Sequence, residues 1–266
     1  MKSQYRMLFA FVAMILAVSL ACGALSGTEA PPPTSQPLPT NPPPPTSAPI
    51  QQPTQESQPI PTPQSQPQPQ NQQFFTEEFD TPLSDAWSVL TVTGSDDANP
   101  DKVTVEPQSG KLVWNFDSEY VYYYLFYEGN SYSDVKVEVR ADNRGKNNNS
   151  ISLICRYDPE VGWYEFNIAN NGLYDILFAE VTESGSIGYN RISNGGSNAI
   201  KQGKDVNEYV ISCVGDKLTL TINGEEIKPV TEKNYGLRDG GVGVSVSSFN
   251  VLPILVEMEW FKVSEP

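Results

Sequence analysis

Sixteen of the chain's 23 prolines fall between Pro31 and Pro69, and that concentration limits what can fold more than any other feature. The surrounding stretch, "TEAPPPTSQPLPTNPPPPTSAPIQQPTQESQPIPTPQSQPQPQNQQ", has no Lys or Arg and little that is apolar. Such a segment cannot bury enough surface to offset the entropy lost on ordering. Proline holds it in extended conformations of roughly 3 Å per residue, so about 45 residues reach on the order of 100 Å. A spacer is expected over 23–73; a proline-rich ligand for a signalling domain is the competing reading. The folded part is then 74–266, about 190 residues, enough for one substantial core.

The segment before the spacer has Lys2 and Arg6, an uncharged apolar run from Met7 to Ala21, and Cys22. This is the pattern of an export signal, with a run of about 15 residues, near the lower limit for spanning a bilayer. An ordinary signal peptide or short anchor is one reading. "SLAC" (Ser19–Cys22) also resembles a bacterial lipoprotein signal, with Ser19 where that pattern prefers an aliphatic residue. On that resemblance 1–22 is a lipoprotein-type signal peptide, Cys22 is lipidated, and the domain sits on the extracellular face of the cell membrane.

Charge and composition exclude several chemistries. The part after the spacer has 15 basic and 30 acidic residues. Neutralising phosphates needs a basic patch, so nucleic acid and anionic lipid are poor partners, and membrane contact is expected only through the N-terminal anchor. Solubility alone also accounts for the acidity. Histidine is absent. That removes Ser–His–Asp and Cys–His nucleophilic catalysis in their usual forms, and every histidine-ligated metal. An enzyme here would work with carboxylates, tyrosine or lysine.

The folded part shows about fourteen short runs rich in Val, Ile, Thr, Tyr and Phe, punctuated by Gly, Asn and Asp, and no convincing helix. Two packed antiparallel sheets or a barrel are expected. In "CVGDKLTLTINGEEI", Gly215–Asp216 and Asn223–Gly224 suit two-residue hairpin turns. Leu218, Leu220 and Ile222 alternate with Thr219 and Thr221, so one face is buried. Cys155 and Cys213 both fall on apolar strand faces. An exported domain permits a disulfide, expected here between adjacent strands; buried free thiols are the alternative.

Three segments together resemble the concanavalin A-like lectin/glucanase superfamily, in particular bacterial exported laminin-G-like or 3-keto-disaccharide hydrolase-like jelly rolls. They are "FFTEEFDTPLSDAWSV", then "ISLICRYDPEVGWYEFNIANNGLYDILF" with "NEYVISCVGDKLTLTINGEEI", and the ending "GGVGVSVSS" with "VEMEWFKVSEP". The resemblance implies a two-sheet antiparallel jelly roll with sugar-binding or catalytic groups on a concave face. It also implies a structural calcium between first and last strands, with Glu78, Asp80 and Glu259 as candidate ligands. Glu259 stands where the family ending has aspartate, and unmetallated surface carboxylates are the alternative. The glucanase motif Glu-x-Asp-x-x-Glu, which sets two carboxylates about 5 Å apart for retaining hydrolysis, does not occur. The nearest acidic clusters, Glu180/Glu183, Glu225/Glu226 and Glu257/Glu259, read as solvated surface.

"SEYVYYYLFYEG" (118–129) raises a sharper question. Strand alternation puts Tyr120, Tyr122, Tyr124 and Phe126 on one face, and Val121, Tyr123, Leu125 and Tyr127 on the core face. The first set is either a platform for pyranose rings or a strand covered on both faces, for instance by a loop such as Gly185–Gln202. Trp163 and Tyr164 beside Arg156 form a second candidate group, with Arg156 expected to point off the core toward sugar hydroxyls or a carboxylate, or to pair with Glu165 or Asp158. Three functions stand against one another: a lipid-tethered, non-catalytic carbohydrate-binding module with a polysaccharide or glycan partner, a hydrolase of 3-keto-disaccharides, and a protein-binding or structural envelope module.

Overall fold

The computed structural model describes residues 73–266, so the signal-like segment, Cys22 and nearly all of the proline-rich stretch lie outside the described residues. Sixteen strands are present: β1 (Phe75–Glu77), β2 (Trp87–Thr93), β3 (Val103–Pro107), β4 (Leu112–Phe116), β5 (Val121–Tyr127), β6 (Val135–Asn143), β7 (Asn149–Asp158), β8 (Gly162–Ala169), β9 (Leu173–Val181), β10 (Ile187–Gly196), β11 (Val206–Val214), β12 (Lys217–Ile222), β13 (Glu225–Glu226), β14 (Val230–Thr231), β15 (Gly241–Ser248) and β16 (Ile254–Ser264). The only helical element among the described residues is a 3-10 turn, Pro100–Lys102. All fourteen runs expected from the sequence form strands, and the two-residue β13 and β14 are added.

The strands make the expected antiparallel sandwich. One sheet has seven strands in the order β10-β9-β8-β7-β15-β5-β2. The other has nine, along the path β13-β12-β11-β6-β16-β4-β3, with β1 paired to β16 and β14 to β12. Alternation decides which side chains enter the core. In β6, Val135, Val137, Val139 and Ala141 are buried, while Lys136, Glu138, Arg140 and Asp142 face outward. That outer face carries a lattice of ion pairs: Lys111–Glu257 at 2.8 Å, Lys262–Glu138 at 3.0 Å, Arg140–Glu259 at 2.7 Å and Arg144–Asp142 at 3.1 Å. Being solvated, each is worth at most about 1 kcal/mol, and burial of the inner faces carries the fold.

The cysteines correct one expectation. They are bonded, with Cα atoms 6.6 Å apart, but they do not lie on adjacent strands. Cys155 belongs to β7 in the seven-stranded sheet and Cys213 to β11 in the nine-stranded sheet. Both are fully buried, so the bridge staples the two sheets through the core.

The next residue produces a second correction. Arg156 has φ +55°, and the β7–β8 register slips between Cys155 and Asp158. This bulge reverses the alternation. Arg156 turns away from the outer face and is buried, donating from Nε and Nη2 to Ser133 O at 3.1 and 2.9 Å and from Nη1 to Leu237 O at 3.2 Å. Its nearest carboxylate is Asp134, at 3.8 Å; it pairs with neither Glu165 nor Asp158. Tyr164 lies on the core side too, donating to Glu232. Glu232 also accepts from the backbone N–H groups of Asn234 and Tyr235, the latter at 2.9 Å. Arg156 and Glu232 together pin the loop that leads into β15.

Replacing Cys155 and Cys213 opens a 58-residue separation, for which the chain-entropy model gives a loss of about 4 kcal/mol as an upper figure. The check is the urea midpoint of residues 73–266 with and without reductant; an unmoved midpoint would mean that the bridge adds no stability. Glu232 sets an acid limit. Burial pushes its carboxyl up, but the Tyr164 hydroxyl, the two amides and Arg238 outweigh that and hold it below the usual carboxylate range. Its stabilisation is therefore complete above the unfolded value of about 4.3 and is lost as pH falls through the lower folded value. Glu232→Gln should cost about 1–3 kcal/mol at neutral pH and flatten this acid-side loss. Equal acid sensitivity in both proteins would exclude Glu232 as its source.

Candidate functional site

The central strands of the seven-stranded sheet are unusual in being buried on both faces. Every residue of β15 and most of β7 and β8 are buried. On the face away from the core lie Tyr122, Tyr124 and Phe126 of β5, Ser245 and Ser247 of β15, Ser150, Ser152 and Ile154 of β7, Trp163, Glu165 and Asn167 of β8, and Asp175, Leu177 and Ala179 of β9.

The cover comes from the sheet itself. The Tyr189 hydroxyl, on edge strand β10, lies 2.8 Å from that of Tyr124 on β5, although four strands separate β10 from β5 in the sheet. The sheet is thus curled until its margins meet over this face. Near the meeting point lies a second, smaller apolar cluster. Tyr124, Phe126, Ile154, Trp163 and Ala179 are fully buried in it, with Leu90, Val92, Tyr157 and Ile187 packed against them. Tyr157 stacks on Phe126 with ring centroids 3.7 Å apart. The bulge at Arg156 is what brings Tyr157 to this side.

Beside this plug the face stays open as a cleft of about 230 Å³. Tyr122, Tyr124, Tyr189, Leu177 and Phe249 form its apolar walls, and Ser150, Asn167, Glu165, Asp175 and Ser247 supply its polar groups. Tyr122 meets Tyr189 and Phe249 edge-on, at 6.5 and 6.4 Å. Glu165 is 2% exposed yet fully bonded. It accepts from Ser152 Oγ at 2.7 Å, Trp163 Nε1 at 3.1 Å and the Tyr124 hydroxyl at 3.2 Å. Burial pushes its carboxyl above the usual range, and these donors pull it part of the way back. Burial and the nearby Glu165 charge also drive the Tyr124 hydroxyl well up, so it remains a donor. Asn167 Nδ2 donates to Ser150 Oγ at 2.9 Å and Ser152 Oγ at 2.8 Å. Asp175 pairs with Arg191 Nε at 2.6 Å.

The residues singled out from the sequence divide between places. Tyr122 and Tyr124 line the cleft, and Trp163 backs it through its bond to Glu165. Tyr120 has φ +52°, sits in the turn before β5 and leaves the expected aromatic row. Arg156 and Tyr164 are on the opposite side of the sheet from Trp163. The tyrosine question thus has a divided answer: Tyr124 is covered by Tyr189, from the expected segment Gly185–Gln202, which forms strand β10 where a loop was expected, and Phe126 by Tyr157, while Tyr122 stays partly exposed at the opening. The polar residues Ser150, Glu165, Asn167, Asp175 and Ser247 were not foreseen, nor were Tyr189 and Phe249. A signal existed for several: "WYEFN" places Trp163, Glu165 and Asn167 on one face, and "VSVSS" and "SISLI" place serines at every second position.

The expected calcium ligands do not converge. Strand β1 ends at Glu77, and Phe79 takes φ +58°, so alternation fails between Glu78 and Asp80. Asp80 lies against the β3–β4 turn at Gly110, and Glu259 is committed to Arg140. No group of three or more acidic or cysteine side chains suited to a metal occurs among the described residues. These residues do not fit the implied ion.

Solved structures place the fold. A glycoside hydrolase family 16 protein of a Bacteroides ovatus mixed-linkage glucan locus, in complex with a G4G4G3G product, superposes with a TM-score of 0.52 at 11% identity, over 71% of this chain and 99% of its own. The β-glucanase of Bacillus licheniformis gives 0.51 at 12%, over 73% and 98%. A Bacillus subtilis protein of unknown function with a galectin-like fold gives 0.52 at 10%, over 72% and 94%. At these identities the likeness is one of fold. No curated protein sequence matches the chain. Residues 75–246 match the 3-keto-alpha-glucoside-1,2-lyase-like domain, and the chain belongs to that family.

Proposed function

We propose that residues 73–266 bind carbohydrate without transforming it, in the cleft of the curled sheet, and that the domain is held at the outer cell surface by a lipid on Cys22. One observation supports this above the others: the cleft joins aromatic walls to a hydrogen-bonding floor while its buried carboxylate, Glu165, is already hydrogen-bonded and Asp175 is ion-paired, though without a hydrogen bond to its Oδ1. Glu165 has three protein donors and Asp175 has Arg191. Sugars present apolar C–H faces to aromatic rings and hydroxyls to polar groups, and this lining offers both. Membership of a family named for a glycoside lyase, and a fold shared with glucanases, agree with a glycan ligand.

A lyase or hydrolase acting on 3-keto-glucosides is the second reading. It is favoured by a buried carboxyl of raised pKa inside a pocket, an environment common among catalytic acids. Its three donors weigh against it, because they stabilise the charged form and occupy the oxygens a proton transfer would use.

Affinity electrophoresis and calorimetry against a panel of soluble polysaccharides test the binding reading. Tyr122→Ala should weaken retention about tenfold, the scale of one aromatic contact. Asn167→Ala should weaken it about fivefold, the scale of one hydrogen bond. Retention of no polysaccharide together with no calorimetric binding of any oligosaccharide would sink the proposal, and product release from a 3-keto-disaccharide, lost in Glu165→Gln, would replace it with the second reading. For the anchor, Cys22→Ser in the full chain should abolish labelling by a fatty-acid analogue and release the protein to the medium. A labelled Cys22→Ser protein would refute lipidation there.

A further inference from the structure

The cleft is closed at one end, and this bears on which part of a glycan it receives. Tyr124, Phe126 and Trp163 are each at most 1% exposed, and they fill the face beside the cleft from β5 to β8. Tyr124 stacks on Phe126 at 5.7 Å, Trp163 meets both edge-on at 5.3 and 5.1 Å, and Tyr157 extends the stack at 3.7 Å. Tyr189 closes over them through its bond to Tyr124. A polymer crossing the sheet would have to displace this apolar core. The remaining volume, about 230 Å³, is below the roughly 300 Å³ at which pockets for drug-sized molecules begin, and a disaccharide is of that size.

Resting on the carbohydrate-binding reading, we infer that the cleft takes the terminal, uncharged pyranose of a glycan, and not an internal stretch. A terminal ring carries more free hydroxyls than an internal one, which suits Ser150, Asn167 and Ser247 grouped around a single-ring space. Uncharged sugar follows from the electrostatics. The Asp175–Arg191 pair is neutral as a unit, which leaves Glu165 to oppose a uronate carboxylate.

The test is calorimetry on the full domain with oligosaccharide ladders of one to six units from β-1,3-glucan, β-1,4-glucan, α-1,4-glucan and β-1,4-galactan, the intact polymers, and glucuronic acid. Affinity should reach its full value by the disaccharide and stay within about twofold to the hexasaccharide, with glucuronic acid at least tenfold weaker than glucose. Tyr189→Ala, on an edge strand, removes the closing wall and should make affinity climb with chain length. A wild-type affinity that tightens more than tenfold from di- to hexasaccharide would overturn chain-end recognition and leave carbohydrate binding intact. A flat ladder in Tyr189→Ala at wild-type affinity, or glucuronic acid binding as well as glucose, would also count against it. No heat with any oligomer or polymer would overturn both readings.

Discussion

Strands buried on both faces must satisfy two sets of demands, and the seven-stranded sheet depends on its central strands meeting both. Its inner face only has to be apolar, and Leu153, Phe166, Val242, Val244 and Val246 make it so. Its outer face carries polar side chains out of water, where each unpaired group costs of the order of a lost hydrogen bond or more. They are paired with one another instead. Ser152 serves Glu165, Asn167 serves both serines of β7, and Tyr124 serves Glu165. Among the described residues, two buried side-chain atoms on this face have no hydrogen-bond partner: Ser245 Oγ, between Tyr124 and Ser152 in the strand register, and Asp175 Oδ1, which has only the Arg191 ion pair.

One backbone anomaly serves both faces. A regular strand would send Arg156 outward and Tyr157 to the core. The left-handed residue at 156 reverses this: the guanidinium reaches Ser133 O and Leu237 O, and the tyrosine ring reaches Phe126. Gly162, where the β7–β8 hairpin re-enters the sheet, has φ +136° and stands so close to Ala179 O that a Cβ there would lie 2.0 Å from it. Only glycine fits that approach. The interlocking of bulge, glycine and aromatic plug accounts for a closed outer face at this end and an open one at the other.

The fold was largely legible in the sequence because it is written in period two. "LTLTI", "VKVEV" and "WYEFNI" each declare a buried side, and Asn223 and Gly224, at φ +50° and +83°, form the turn their identities announce. The site was less legible. Alternation assigns side chains to faces only while the backbone stays regular, and three singled-out residues neighbour left-handed positions or occupy them: Tyr120, Arg156 and Asp80 beside Phe79. No local pattern predicts that β10 will arch over to β5, since that depends on the accumulated curl of a whole sheet. The same gap explains the cysteines: their faces were readable, but which sheet each strand would join was not.

Glu165 marks where folding and recognition diverge. A buried carboxylate with a raised pKa is less stabilising at neutral pH than an apolar group of equal shape would be. What it provides is direction. Tyr124 has one proton and gives it to Glu165, so in the Tyr124–Tyr189 contact the proton must come from Tyr189. Ser152 likewise spends its proton on Glu165 and so accepts from Asn167, whose amide nitrogen is thereby fixed. A single charge thus sets the hydrogen-bond polarity of four surrounding side chains and the orientation of Asn167 and Tyr189 at the cleft. An apolar residue would pack as well but leave these hydroxyls free to rotate. A preorganised floor loses less on binding than a rotating one, and the ligand proposed above, an uncharged sugar ring, is of the weakly held kind for which that difference decides whether it is held at all.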